Sequence, residues 1–169
     1  MARNIEIKAH IESVKAILPK ALALASTNPI EVYQDDTFFQ CSNGRLKLRM
    51  FDAANGQLIF YRRANQSGPK ESFYLITPTS EPNTLRDVLT AGQGVIGRVI
   101  KHRTLLMYGR TRIHLDKVDH LGEFLELEVA LEDDESPENA IAQALLLMND
   151  LGISPTQLIE DAYVDMLAR

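Results

Sequence analysis

The sequence predicts an α+β fold, a closed antiparallel β-barrel with a charged interior and an apolar outer face covered by helices. Three observations predict it. Apolar and polar residues alternate through several separate segments, as they must where a strand points successive side chains to opposite faces. The polar face of several of these segments carries charge of one sign, and helical periodicity is confined to a few stretches between and after them.

Residues 4–10 put Asn4, Glu6, Lys8 and His10 on one face and Ile5, Ile7 and Ala9 on the other. A helix over residues 13–25 carries Val14, Ile17, Leu18, Ala21, Leu22 and Ala25 at helical spacing, and Pro19 predicts a kink or a broken start. Arg45, Lys47 and Arg49 then alternate with Leu46, Leu48 and Met50. Further strands are expected at 58–64, apolar on both faces until its arginines, and at 71–77, before a short helix at 82–91. Gly92, Gly94 and Gly97 lack the strand–turn–helix setting of a phosphate loop and read as a turn. Lys101 and Arg103 follow Val99 on one face. Arg110, Arg112, His114 and Asp116 alternate with Thr111, Ile113 and Leu115, and Glu126 and Glu128 with Leu125, Leu127, Val129 and Leu131. The acidic run 132–135 reads as a solvated loop. The clearest helix starts at Ser136 as N-cap with Pro137 in first position and stops at Gly152. Ser154, Pro155 and Gln157 repeat a capping-box start, and a last short helix holds Tyr163, Val164 and Leu167.

For any one strand, a half-buried sheet with its polar face in water is the simpler reading. The set argues otherwise. Solvent faces of ordinary sheets mix both charges with Thr, Ser and Gln, whereas here one row is Arg-Lys-Arg, another Lys-Arg and another Glu-Glu. Rows of like charge repel unless a ligand or an opposing row neutralises them. A closed interior supplies the opposing row.

With 169 residues, 45% of them hydrophobic, the chain suits one compact domain. The single cysteine, Cys41, excludes an internal disulfide framework and has no paired histidine signature for a thiol nucleophile. Residues 1–10 contain no apolar run resembling a signal peptide, and no stretch approaches the ~20 apolar residues of a membrane span, so a cytoplasmic location without a membrane partner is expected. The net charge of -5 argues against nucleic acid. That average hides a division: residues 1–117 carry 17 Lys and Arg against 10 Asp and Glu, and residues 118–169 carry 1 against 13. Such a chain can receive an anion in one place and a metal ion in another.

Six stretches carry a resemblance. Asn4-Ile5-Glu6-Ile7-Lys8, Gln34-Asp35-Asp36-Thr37-Phe38-Phe39, Gly44-Arg45-Leu46-Lys47-Leu48-Arg49, Lys101-His102-Arg103, Arg112-Ile113-His114-Leu115-Asp116 and Leu121-Gly122-Glu123-Phe124-Leu125-Glu126-Leu127-Glu128 occur in the order found in the CYTH superfamily. These are the triphosphate tunnel metalloenzymes, which include class IV adenylyl cyclases and thiamine triphosphatases. Each motif alone is weak; six in order, from residue 4 to the Tyr163 region, are specific for the superfamily. The resemblance implies an eight-stranded antiparallel tunnel with helices outside, as one CYTH-like domain over residues 1–169. It implies Mg²⁺ or Mn²⁺ and a triphosphate substrate: ATP, inorganic triphosphate or thiamine triphosphate. It also suggests a homodimer. The motifs look most like the class IV adenylyl cyclase branch, which converts ATP to cyclic AMP and pyrophosphate; a triphosphatase is the alternative, and a non-catalytic triphosphate-binding module the third.

The family signature Glu-x-Glu-x-Lys falls on Asn4, Glu6 and Lys8, so the first carboxylate is replaced by an amide. Glu6, Asp116, Glu126 and Glu128 are the expected metal ligands, since such ions take oxygen donors. Lys8, Lys47, Arg49, Arg63, Lys101, Arg103 and Arg112 form the expected phosphate cradle, guanidinium forks gripping phosphate oxygens in pairs. Lys70, after the Tyr61-Arg62-Arg63 strand, resembles a further family lysine. Glu6, Lys8, Arg103 and Glu126 are expected to carry the chemistry. Arg45 and Arg110 are expected to face water, and His114 to be a polar wall residue.

Overall fold

The structure is a computed structural model that describes residues 2–169; Met1, included in the expected domain, lies outside the described residues. Eight strands close into an antiparallel barrel: β1 (Ala2–His10), β2 (Ile30–Phe39), β3 (Arg45–Asp52), β4 (Asn55–Arg63), β5 (Lys70–Thr79), β6 (Val95–Tyr108), β7 (Thr111–Val118) and β8 (Gly122–Leu131). Around the barrel they run β1-β5-β4-β3-β2-β6-β7-β8, with β1 closing on β8. Helices α1 (Val14–Leu24), α2 (Pro82–Gln93), α3 (Pro137–Asp150) and α4 (Tyr163–Leu167) lie outside or at one end. Among the described residues no helix is long and apolar enough to cross a membrane.

The hydrophobic core is outside the barrel. Ile5, Ile7, Ile113, Leu115, Leu125, Leu127 and Val129 turn outward and are at most 1% exposed. They pack under α1 and α3, against Ala21, Leu147 and Leu151 on one side and Ala140 and Ala144 on the other. Each such side chain contributes roughly 1.5–3 kcal/mol on leaving water. That burial holds the wall in place while the opposite face of the same strands carries charge.

A second apolar cluster closes one end of the barrel. Phe38, Val99, Val118 and Phe124 meet Ala162, Tyr163 and Val164 of the C-terminal segment. Gly97 permits this: a Cβ there would lie 2.5 Å from Val164 Cγ2. The turn expected at Gly92–Gly97 is therefore divided: Gly94 ends α2 at φ 83°, while Gly97 belongs to β6.

Two local features differ from expectation. Helix α1 runs through Pro19 without interruption, with Ser13 Oγ accepting from the Ala16 N–H at 3.0 Å. β2 was not among the alternating segments. It carries Asp35 to the outside, where Arg98 and Arg86 meet it, and Asp36 to the inside.

Candidate active site

Because antiparallel partners share a face, the register alone brings the charged rows together. Lys8 pairs with Glu126 and Glu6 with Glu128 across β1 and β8; Arg112 pairs with Glu128 and His114 with Glu126 across β7 and β8. On the far side of the barrel Asp36 pairs with Arg49, and Gln34 with Lys101. The enclosed cavity has a volume of about 440 Å³. Its lining includes seven lysine and arginine side chains (Lys8, Lys47, Arg49, Arg63, Lys101, Arg103, Arg112) against four carboxylates (Glu6, Asp36, Glu126, Glu128).

Asp36 organises one wall. Its carboxylate accepts from Arg49 Nε and Nη2, both at 2.8 Å, from Lys47 Nζ at 3.0 Å and from Lys101 Nζ at 3.2 Å. Burial alone would raise its pKa; Arg49, Lys101 and Lys47 outweigh burial and hold it well below the ordinary carboxylate range. The cations feel the converse. Burial, with Arg49 and Arg103 opposing Asp36, pushes Lys101 down to about 7, and burial with Arg49 pushes Lys47 down to about 8. One carboxylate thus fixes three cations without neutralising them, which leaves them aimed at an anion.

The opposite wall gathers carboxylates. Arg63 Nη1 donates to Glu6 Oε1 at 2.8 Å, and Arg112 donates to Glu128 Oε2 from Nε at 3.0 Å and Nη2 at 2.8 Å. Arg103 Nη2 lies 3.6 Å from Glu126 Oε2. Glu126 is buried, yet Lys8, Arg103 and neighbouring charges keep its pKa well below normal, whereas burial and the adjacent Glu126 push Glu128 up. Ligand atoms of His114, Glu126 and Glu128 lie within 4.8 Å of one another. Burial and Arg103 hold the His114 pKa well below normal, so its ring is neutral, and its buried Nδ1 has no hydrogen-bond partner. Asn4 donates to Glu128 through Nδ2 at 3.5 Å and leaves its buried Oδ1 unpartnered. A neutral imidazole, an orphaned amide oxygen and two repelling carboxylates are a donor set that fits a divalent cation.

The CYTH domain family model matches residues 2–163. This chain belongs to the CYTH family. No curated protein matches the sequence. Similar solved structures include the PH1012 protein of Pyrococcus horikoshii, 20% identical with a TM-score of 0.83, covering 96% of this chain and 98% of that one. A Vibrio parahaemolyticus protein provisionally named an adenylate cyclase is 18% identical, TM-score 0.78, covering 98% of each chain. Hippeastrum HpAC1, provisionally named an adenylyl cyclase and described by a dominant triphosphatase activity, is 17% identical, TM-score 0.65, covering 98% of this chain and 94% of that one. At these identities the likeness is one of fold.

In this CYTH barrel Glu6, Lys8, Lys47, Arg49, Arg63, Lys101, Arg103, Arg112, Glu126 and Glu128 all line the cavity; Lys70 and Asp116 do not. Lys70 faces inward opposite Glu6, but its ammonium donates to the carbonyls of Gln66 and Glu160, both at 3.1 Å. It straps the C-terminal segment to the β4–β5 loop. Asp116 is taken up by Arg103 and by the Tyr163 hydroxyl, which donates to Oδ2 at 2.8 Å. Arg45 and Arg110, expected in water, pair with Asp165 and Glu135. Tyr163 is a site residue that sequence reasoning passed over: its ring lies 4.0 Å from Lys8 Nζ and floors the cavity. Asp36 is the other, and the only trace of it in the sequence is the Gln34–Phe39 motif.

Proposed function

We propose that this protein is a metal-dependent enzyme that cleaves a phosphoanhydride bond of a triphosphate held in the tunnel. The observation that carries the reading is the segregation of charge inside one enclosed cavity: cations gathered on Asp36 along one wall, and the Glu126–Glu128 pair across from them. Seven cations against four carboxylates favour a polyanion, and a closed, buried setting strengthens each contact.

Lys47, Arg49, Lys101 and Arg103 would grip phosphate oxygens and hold the charge that develops on the leaving phosphate. Asp36 fixes three of these donors beforehand, so little reorganisation accompanies the reaction. Glu6, Glu126 and Glu128, with His114 and the Asn4 amide oxygen, would hold Mg²⁺ or Mn²⁺. When bound, that ion lowers the pKa of the attacking hydroxyl or water and neutralises phosphate oxygens. Tyr163 and Phe124 exclude water from the closed end.

Two reactions use the same parts. In a class IV cyclase the ribose 3′-hydroxyl attacks the α-phosphorus of ATP and pyrophosphate leaves; in a triphosphatase water attacks the terminal phosphorus and orthophosphate leaves. The resemblance of the stretches 44–49, 112–116 and 121–128 to the class IV adenylyl cyclase branch supports the first. The activity described for the Hippeastrum protein supports the second. The deciding experiment incubates purified protein with ATP, inorganic triphosphate or thiamine triphosphate, each with Mg²⁺ or Mn²⁺. Cyclic AMP with pyrophosphate establishes cyclisation, and orthophosphate without a cyclic product establishes hydrolysis. Binding of triphosphate with no product from any substrate makes the chain a binding module, the reading that Asn4 in place of a family carboxylate favours.

A further inference from the structure

A second cavity lies beyond the closed end of the barrel. Its volume is about 580 Å³, and it is bounded by the connection between β2 and β3, the end of β4 and the start of β6. Phe38, Tyr61 and Arg63 line both cavities and so form the partition between this one and the tunnel. Three guanidinium side chains line it, those of Arg45, Arg62 and Arg63, and no carboxylate does.

Each of these arginines has donors to spare. Arg45 meets Asp165 through Nη2 and Arg63 meets Glu6 through Nη1, one nitrogen of the fork in each case. The Arg63 side chain is only 6% exposed, yet its Nε has no hydrogen-bond partner. A buried N–H without an acceptor is unfavourable, and such groups in folded proteins ordinarily have one. Arg62 has no carboxylate partner among the described residues; its guanidinium lies 5.1 Å from the centroid of the Phe73 ring and 5.8 Å from that of Phe60. Gly44 makes room for its stem, because a Cβ at residue 44 would lie 2.7 Å from Arg62 Cγ. Two rings and a glycine thus hold an exposed, unpaired arginine in place, and a ligand need not impose that order itself.

We propose that this cavity is a second anion site, separate from the tunnel, whose ligand is a phosphate group, either free or at the end of a small organic molecule. Guanidinium forks match the paired oxygens of a phosphate, and with no carboxylate in the lining nothing there repels it. Half-buried Leu46 and Ile96, which is 44% exposed, add apolar surface against which an organic carrier can lie. The site does not depend on what the tunnel takes.

The test is a nuclear magnetic resonance titration of the isotope-labelled full chain in EDTA with orthophosphate, pyrophosphate or adenosine monophosphate, and with sodium chloride at matched ionic strength as control. Saturable shifts are expected at residues 40–46 and 61–65 and at the Nε–H signals of Arg62 and Arg63 with at least one phosphate probe, and none with chloride. Arg62→Gln is expected to weaken that binding at least ~10-fold, and Arg62→Lys, which keeps the charge and loses the fork, to restore it only in part. Arg45→Gln is expected to weaken it by a similar factor and serves as the second variant should Arg62→Gln disturb the fold. Tighter binding of orthophosphate or pyrophosphate identifies a free anion as the ligand; tighter binding of adenosine monophosphate identifies an organic phosphate. Shifts that never saturate, that stay within the tunnel, or that keep their affinity in both variants overturn the site. Signals from Lys47, Arg49 and Lys101 report the tunnel separately, so their silence counts against the tunnel reading alone.

Discussion

Arg103 on β6 and Asp116 on β7 form a two-pronged ion pair in the barrel wall, Nε to Oδ1 at 2.7 Å and Nη2 to Oδ2 at 2.8 Å. Asp116 is fully buried and its second oxygen also accepts from Tyr163. Its influence on the cavity passes through Arg103, whose Nη2 faces Glu126. Asp116→Asn keeps the shape and strands a buried guanidinium, a loss of about 3–5 kcal/mol. Thermal melting is expected to fall by roughly 10 °C, while Mn²⁺ titration of the folded variant shows an unchanged affinity. A variant that melts normally and loses Mn²⁺ would make Asp116 a ligand.

If a triphosphate binds in the cavity, the lysines on Asp36 are expected to make that binding depend on pH. Lys101 is held at about 7 and Lys47 at about 8 in the free protein, mainly by burial and by Arg49 beside them. A bound polyanion favours their charged forms and raises both pKa values. Above its free pKa each lysine must therefore take up a proton when the anion binds. Metal-free affinity for inorganic triphosphate is expected to be full below pH 7 and to fall as pH rises through 7 and then 8, by up to ~10-fold per unit for each lysine. Titration calorimetry in buffers of different ionisation enthalpy measures the protons taken up. A flat affinity from pH 6.5 to 9 contradicts the assignment.

Glu126 stands between the carboxylate wall and the cations beside it. It lies within the His114–Glu128 cluster and beside Lys8 and Arg103. Glu126→Gln is expected to lower turnover at least ~10-fold and to weaken Mn²⁺, while inorganic triphosphate binding in EDTA persists because the Asp36 wall is untouched. Unchanged turnover would separate Glu126 from the chemistry.

How much of this was legible in sequence depended on which force set each residue's position. The strands β1, β3, β7 and β8 stand out because an outer face that is apolar through the middle of each strand forces clean alternation there. β2 does not, since Asp35 and Asp36 are both polar, one turned out to Arg98 and one in to Lys101. Asp36 acquires its role only when closure brings β3 and β6 to either side of β2. Alternation put Asp116 on the inner face correctly; its partner follows from the register Arg103–Asp116, which periodicity does not contain. Lys70, expected to bind triphosphate, is held instead by two backbone carbonyls, and one of them belongs to Glu160, ninety residues away.

Asn4 offers the last test, because an amide one methylene shorter stands at a buried position where the family signature has a glutamate. Its Nδ2 donates to Glu128 at 3.5 Å, and its Oδ1 is unpartnered and buried. As an amide it relieves the crowding of Glu6, Glu126 and Glu128 when no cation is bound. Asn4→Glu reverses that balance. Without metal a fourth carboxylate repels the others and loses the donated hydrogen bond, so the melting temperature is expected to fall by several degrees in EDTA. With Mn²⁺ the added charge strengthens coordination, and the affinity is expected to rise at least ~10-fold, so the destabilisation disappears at saturating metal. If Asn4→Glu melts lower by the same amount with and without Mn²⁺, Asn4 lies outside the metal's reach. The orphaned oxygen would then belong to the triphosphate or to an ordered water.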